Sequence, residues 1–372
     1  MKNWKKILAL VLALVLCVSL FAACGGDKNT GKPDGPSNTQ SGGDSGKKDE
    51  GKKDDGKVYR LSLSFHDSSQ AHKTVFLQKW ADEIKEATNG RVEITVYAGG
   101  TLASMTDALD AVKQRTCDIA MCYTNIFAGQ FPLTDVVSLP MTGINNSEQA
   151  TNVLWDLMDY SEALRDELKN FKVIGVFTNA NNIICSTKPV HDQSEIKGLK
   201  VRVSAGTPAD MAVAWGATPM TFAPSDIFQS VEKGVIDAYM IDYPGVDSYA
   251  LYEVTPYYTE MPFFCAPFAI LMNQDSWNEI PEDLQKIIDE HSGRAMSIAA
   301  AQDTDAKADE VRELAQTKYG STIIYPDDAQ LDTFRPAAEQ YIKDWVVKYG
   351  TETFDAQDYV DKAMELAEKY AD

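Results

Sequence analysis

The chain is 372 residues long and carries 55 acidic against 35 basic side chains, a net charge of −20 with its 4 histidines neutral. Residues 1–23 contribute three positive charges and residues 24–57 balance seven against seven, which leaves −23 on residues 58–372. A domain that acidic argues against a nucleic-acid partner and against direct binding to an anionic membrane, and its 315 residues suffice for two lobes rather than one core.

Lys2, Lys5 and Lys6, the apolar run from Ile7 to Ala23, and Cys24 followed by two glycines form the pattern of a secretory signal with a lipoprotein cleavage site. Ala22 and Ala23 suit the peptidase, although Phe21 stands where leucine is commoner. An uncleaved membrane anchor is the other reading, and either one exports the rest of the chain. Cleavage leaves Cys24 as a lipid-bearing first residue, and two or more acyl chains, palmitate among them, make such an anchor to the bilayer stable. Residues 24–57 contain no aromatic or aliphatic side chain, so nothing offsets the entropy of ordering them. They are expected to form a disordered tether with an end-to-end distance of ~30 Å.

Val58–Phe65 alternates as a strand, and Gln70–Thr88 places Val75, Phe76, Trp80, Ile84 and Ala87 at the spacing of one helical face. Asn89 and Gly90, both tolerant of the left-handed conformation, end that helix. A strand over Arg91–Tyr97, a helix over Ser104–Gln114 and a strand over Cys117–Tyr123 follow, an alternation that predicts a parallel sheet covered on both faces. Leu154–Leu168 reads as one helix and Lys172–Thr178 as a strand leading into Asn179-Ala180-Asn181-Asn182, where the chain is expected to cross to the second lobe.

Leu199, Val201 and Val203 then alternate with Lys200, Arg202 and Ser204 as a half-buried strand, and Pro208 opens a helix. An arginine on a strand that runs into a turn and a helix start is well placed to hold an anion, because its planar fork donates two parallel hydrogen bonds to a carboxylate. A solvated edge charge is the plainer reading of the same residue. Tyr257–Asn273 reads as one long strand crossing back between lobes. Pro281–Gly320 reads as mostly helix, reaching ~55 Å and so longer than one lobe needs; two helices, about 329–348 and 356–371, close the chain.

Outside Cys17 and Cys24, four cysteines remain, Cys117, Cys122, Cys185 and Cys265, with no CxxC or zinc spacing. An even number outside the cell permits disulfides, but Cys117, Cys185 and Cys265 sit in apolar runs and read as free core thiols. His66 and His72 do not share a helical face, which disfavours a metal pair; His191 and His291 read as surface residues. There is no GxSxG, HExxH, GxGxxG or Walker loop. No cofactor is expected, and the pattern suits capture better than turnover.

Ile196-Lys197-Gly198-Leu199-Lys200 leading to Arg202, then Gly216-Ala217-Thr218-Pro219-Met220, Pro224-Ser225-Asp226-Ile227-Phe228 and Gly234-Val235-Ile236-Asp237-Ala238 resemble the extracytoplasmic solute-binding subunits of tripartite ATP-independent periplasmic (TRAP) transporters. Thr88-Asn89-Gly90-Arg91-Val92-Glu93-Ile94 and Leu139-Pro140 extend the resemblance over nearly all of 58–372, with Arg115 standing where the family has glycine. The resemblance implies an α/β, two-lobe periplasmic-binding-protein-like (Venus-flytrap) fold with a long lobe-connecting helix: lobe I over about 58–179 and 266–308, lobe II over about 180–265 and 309–372.

It also implies the function. Two lobes close on a small organic acid whose carboxylate pairs with Arg202, and the loaded protein delivers it to TRAP membrane permease subunits. Other lining residues are carried over by position: Asn182, where some relatives that bind acidic sugars have a second arginine; Tyr123, at the end of a first-lobe strand; Phe222, near a pocket-wall aromatic; Tyr239 and Asp242, beyond Asp237; and His66 in the first loop. The missing second arginine points to a monocarboxylate with an apolar or aromatic body. An extracytoplasmic sensor that presents an organic acid to a membrane receptor is the alternative, and an exported enzyme the more distant one.

Overall fold

The structure is a computed structural model that describes residues 56–371; the expected signal sequence, the expected lipidation at Cys24 and the expected tether through residue 55 lie outside the described residues. Runs rich in Val, Ile, Leu, Tyr and Phe form the strands, in chain order β1 (Tyr59–Ser64), β2 (Val92–Tyr97), β3 (Ile119–Tyr123), β4 (Phe171–Thr178), β5 (Ile183–Ser186), β6 (Lys200–Val203), β7 (Thr218–Thr221), β8 (Ala238–Ile241), β9 (Tyr257–Thr259), β10 (Pro267–Asn273) and β11 (Thr322–Ile324).

They make two sheets, ordered β2-β1-β3-β10-β4 and β11-β9-β5-β8-β6-β7. In the first, β1 pairs in parallel with β2 and β3, and β10 enters antiparallel between β3 and β4. In the second, β6, β7 and β8 are parallel while β5 runs antiparallel to β8 and β9. Each sheet belongs to one lobe of a two-lobe α/β fold.

The stretch Tyr257–Asn273, expected as one strand, is two. β9 pairs in the second sheet and β10 in the first, so residues 260–266 make the crossing. They run beside the outward crossing at 179–182 and are held to it largely by asparagines. Asn179 donates its backbone N–H to the Ala266 carbonyl at 2.9 Å and accepts the Ala266 N–H on Oδ1 at 2.6 Å. Asn181 Oδ1 accepts from the N–H groups of Phe263 and Phe264, both at 3.1 Å, and Asn182 donates its N–H to the Phe264 carbonyl at 3.0 Å. Amide side chains that both donate and accept satisfy the backbone where a regular ladder stops.

Two expected helices are each broken. Leu154–Leu168 divides into Ser147–Tyr160 and Glu162–Leu168, because Ser161 is extended and caps the second piece by accepting from Leu164 N–H. Pro281–Gly320 divides into Glu282–Glu290 and Gly293–Thr317, Gly293 having a φ of +69°. The bridge between lobes is therefore the 25-residue helix Gly293–Thr317, ~38 Å long. Its Met296 and Ala300 join the apolar cluster around β1 and β10, while Ala308, Val311 and Ala315 join that around β5 and β8.

The C-terminal residues 309–372, expected in lobe II, do not all lie there. Helix Asp328–Tyr349 sets Phe334 against Trp215, ring centres 5.0 Å apart, but buries Trp345 in the first lobe. The last helix, Ala356–Lys369, packs on Ser147–Tyr160, and its Tyr359, Val360, Ala363 and Leu366 enter the same cluster as Leu154, Leu157 and Leu271. Its apolar stripe matches the first lobe, so this helix lies on the lobe that also holds β1. Cys117, Cys122, Cys185 and Cys265 are buried free thiols. Among the described residues no helix is long and apolar enough to cross a membrane.

Candidate functional site

Period-two alternation on β6 sends Val201 and Val203 into the core and leaves Arg202 on the opposite face, at the cleft between the two sheets. Arg202 is 3% exposed. Its Nε and Nη2 both donate to the Phe222 carbonyl, at 3.0 and 2.8 Å, which fixes one edge of the fork. Of the five N–H groups of an arginine, three remain, on Nη1 and Nη2. Among the described residues no carboxylate lies within 4.0 Å of this side chain. Burial lowers its pKa to about 10, so it stays charged at neutral pH. A buried cation with a free fork and no acid partner is costly to the protein and suited to an incoming anion.

Around it the cleft, with about 650 Å³ of empty space including its open mouth, draws on both lobes. Tyr123, at the end of β3, shares a hydrogen bond of 3.0 Å with Ser204 just beyond β6; burial pushes its hydroxyl up to about 12, which keeps it protonated. Phe268 of β10 lies beside the Tyr123 ring, centroids 5.1 Å apart, and forms an apolar wall. His66 follows β1; burial lowers its pKa, with Asp67 opposing and Lys73 adding to the effect, so the neutral imidazole faces the cleft. The Tyr249 hydroxyl donates to Asp67 Oδ1 across the cleft. Asn182 lines the cleft while its Nδ2 points to the Phe264 carbonyl at 3.5 Å.

Asp242 closes β8 and caps the helix Tyr243–Ser248, accepting from Gly245 N–H on Oδ1 at 3.0 Å. Its Oδ2 faces Lys73 Nζ at 3.4 Å, both side chains being buried in the cleft wall.

Arg202, Asn182, Tyr123, Asp242 and His66 therefore converge on one cleft. Two expected contacts differ. Tyr239 is 0% exposed and lies in the second-lobe core, its hydroxyl bonded to Thr255, because alternation on β8 turns it away from Met240, which lines the cleft. Phe222 contributes its backbone carbonyl to Arg202, and its ring centre lies 6.0 Å from the guanidinium carbon. Sequence reading missed Lys73, Asp67, Ser204, Tyr249 and Phe268. The adjacency of Lys73 to a histidine-bearing loop was a weak signal for the first; Tyr249 and Phe268 carried none, since their approach depends on the lobes meeting.

The sequence pattern of the bacterial extracellular solute-binding protein family 7 matches residues 63–348. A solute-binding protein of Chromohalobacter salexigens is 29% identical over 227 residues, 58% of this chain and 64% of that protein. A TRAP periplasmic solute binding protein from Desulfovibrio salexigens is similar in structure, with a TM-score of 0.74 at 29% identity over 84% of this chain and 96% of that one. A TRAP solute binding protein from an unidentified marine microbe, specific for aromatic acid ligands and solved with 3-hydroxybenzoate, has a TM-score of 0.79 at 24% identity over 85% of this chain and 100% of that one.

Proposed function

The chain belongs to family 7 of the bacterial extracellular solute-binding proteins, and on that premise we propose that it is the capture subunit of a TRAP transporter, closing two lobes on one small organic acid whose carboxylate pairs with Arg202. The observation that carries the ligand class is the Arg202 guanidinium itself, buried in the cleft, oriented by a carbonyl and facing no protein acid. A carboxylate docking end-on to Nη1 and Nη2 gains two charge-assisted hydrogen bonds and relieves an uncompensated charge. Membership in a family of solute-binding proteins sets the chain apart from enzymes.

Delivery goes to the membrane permease subunits of such a transporter. The Cys24 lipid holds the domain extracytoplasmically at the cell membrane. Phe268, Met240, Met105 and Tyr123 offer the ligand an apolar body contact, in line with the aromatic acid bound by the marine relative.

The test is thermal unfolding of wild type, Arg202→Ala and Arg202→Lys with benzoate, 3-hydroxybenzoate and hexanoate. An acid present at a hundred times its dissociation constant is expected to stabilise wild type by ~2.7 kcal/mol. Arg202→Ala is expected to lose that gain, and Arg202→Lys to lose most of it, because a point charge does not reproduce the fork. Equal stabilisation of all three proteins would remove Arg202 from the site, and no shift with any acid would remove the ligand class.

A further inference from the structure

The cleft holds a second cation, and it is already taken. Lys73 sits in the first turn of helix His72–Ala87 and Asp242 at the end of β8, so their 3.4 Å contact joins the two lobes. Lys73 is 8% exposed and Asp242 3%. Asp242 cannot swing away, because its other oxygen holds the first turn of helix Tyr243–Ser248. The remaining acid of the lining, Asp67, accepts from Tyr249 and lies 3.5 Å from His66. Two cations and two carboxylates thus line the cleft: Lys73 and Asp242 face each other, Asp67 faces the neutral His66 and the Tyr249 hydroxyl, and Arg202 has no carboxylate within ion-pair distance.

Such an arrangement has room for one ligand carboxylate. A second one reaching for Lys73 would approach Asp242, and two carboxylates cannot share a buried site without one losing its charge. We propose that the Lys73–Asp242 pair sets the charge of the ligand: Asp242 occupies the cation that a second carboxylate would need, so the cleft accepts monoanions and rejects dicarboxylates of the same body. This deepens the capture reading above and rests on it.

Asp242→Asn tests the idea without removing the helix cap, since an asparagine oxygen still accepts from Gly245 N–H and ranks with aspartate at such positions; Asp242→Ser, also a capping residue, repeats the test. Dissociation constants are measured by calorimetry for benzoate against isophthalate and hexanoate against adipate. In wild type each monoacid is expected to bind and each diacid to bind far more weakly. In Asp242→Asn the freed lysine should narrow that gap by about tenfold or more. In the double variant Lys73→Met, Asp242→Asn the diacid should lose what it gained.

A gap that stays the same in Asp242→Asn and Asp242→Ser while the monoacids still bind overturns the proposal, as does a gain for diacids that survives the loss of Lys73. Failure of both monoacids to bind wild type is a different result, which removes the carboxylate ligand class on which the proposal rests.

Discussion

Asp305, on the bridging helix, shows how one carboxylate is placed to serve another element. Its two oxygens accept from Ser147 and Glu148 N–H, each at 2.8 Å, where helix Ser147–Tyr160 begins and its N–H groups lack internal partners. Burial nevertheless raises its pKa from the ordinary 3.8 to about 6. Between those values the native state holds a proton that the unfolded chain has released, so this group's contribution is greatest below pH 3.8 and is lost as pH rises to about 6. His66 and His72, both lowered by burial, act in the opposite sense below their ordinary 6.5. The difference between Asp305→Asn and wild type is therefore the measurement: denaturant unfolding across this range should show the variant gaining on wild type as pH rises. At this scale the sequence was legible where a residue broke a pattern. Arg202 interrupts an apolar alternation, and Arg115, standing where glycine is usual, has a φ of +60° and pairs with Glu279 at 2.7 Å. Tyr239 and Lys73 were not legible, because which face of a short strand or helix meets the opposite lobe is decided by tertiary packing.

Elements were legible in kind and not in extent. Periodicity located helix His72–Ala87 and strands β1 to β4 to within a few residues, yet it ran β9 and β10 together and carried two helices through breaks made by Ser161 and Gly293, since an apolar stripe continues across a kink. The bridging helix depends on a glycine that gave no such signal. Gly175, in β4, lies under it so closely that a Cβ there would meet Met296 Cε at 2.7 Å and Ser297 Oγ at 2.9 Å. Gly175→Val should lift the helix from the sheet and cost ~1–3 kcal/mol. Urea unfolding would show it, and a loss below ~0.5 kcal/mol would mean that Met296 simply moves aside.

At the scale of the whole molecule, the same closeness recurs where the lobes meet. Gly206, which opens helix Thr207–Ala214 in the second lobe, would place a Cβ 2.9 Å from the Asn125 carbonyl of the first. Its φ is +80°, matched by +81° at Gly198, around which a Cβ would meet nothing within 4 Å. Gly206→Ala and Gly198→Ala therefore share the backbone penalty and differ in the contact. Both should melt earlier, but Gly206→Ala alone should weaken ligand binding and reduce the ligand-induced fall in radius of gyration seen by small-angle scattering. Equal binding in the two would mean that closure does not need this approach.

The place of β10 sets the order in which the molecule can be assembled. It lies between β3 and β4, although residues 183–259, most of the second sheet, are made before it. The first sheet thus stays split, β3 and β4 each with an open edge, until residues 267–273 have been made. Those unpaired edges are the surfaces most exposed to association with other chains. A nascent chain stalled before residue 267 carries a complete set of β5 to β9 and an unfinished first lobe, which makes the incomplete chain the form most in need of a chaperone.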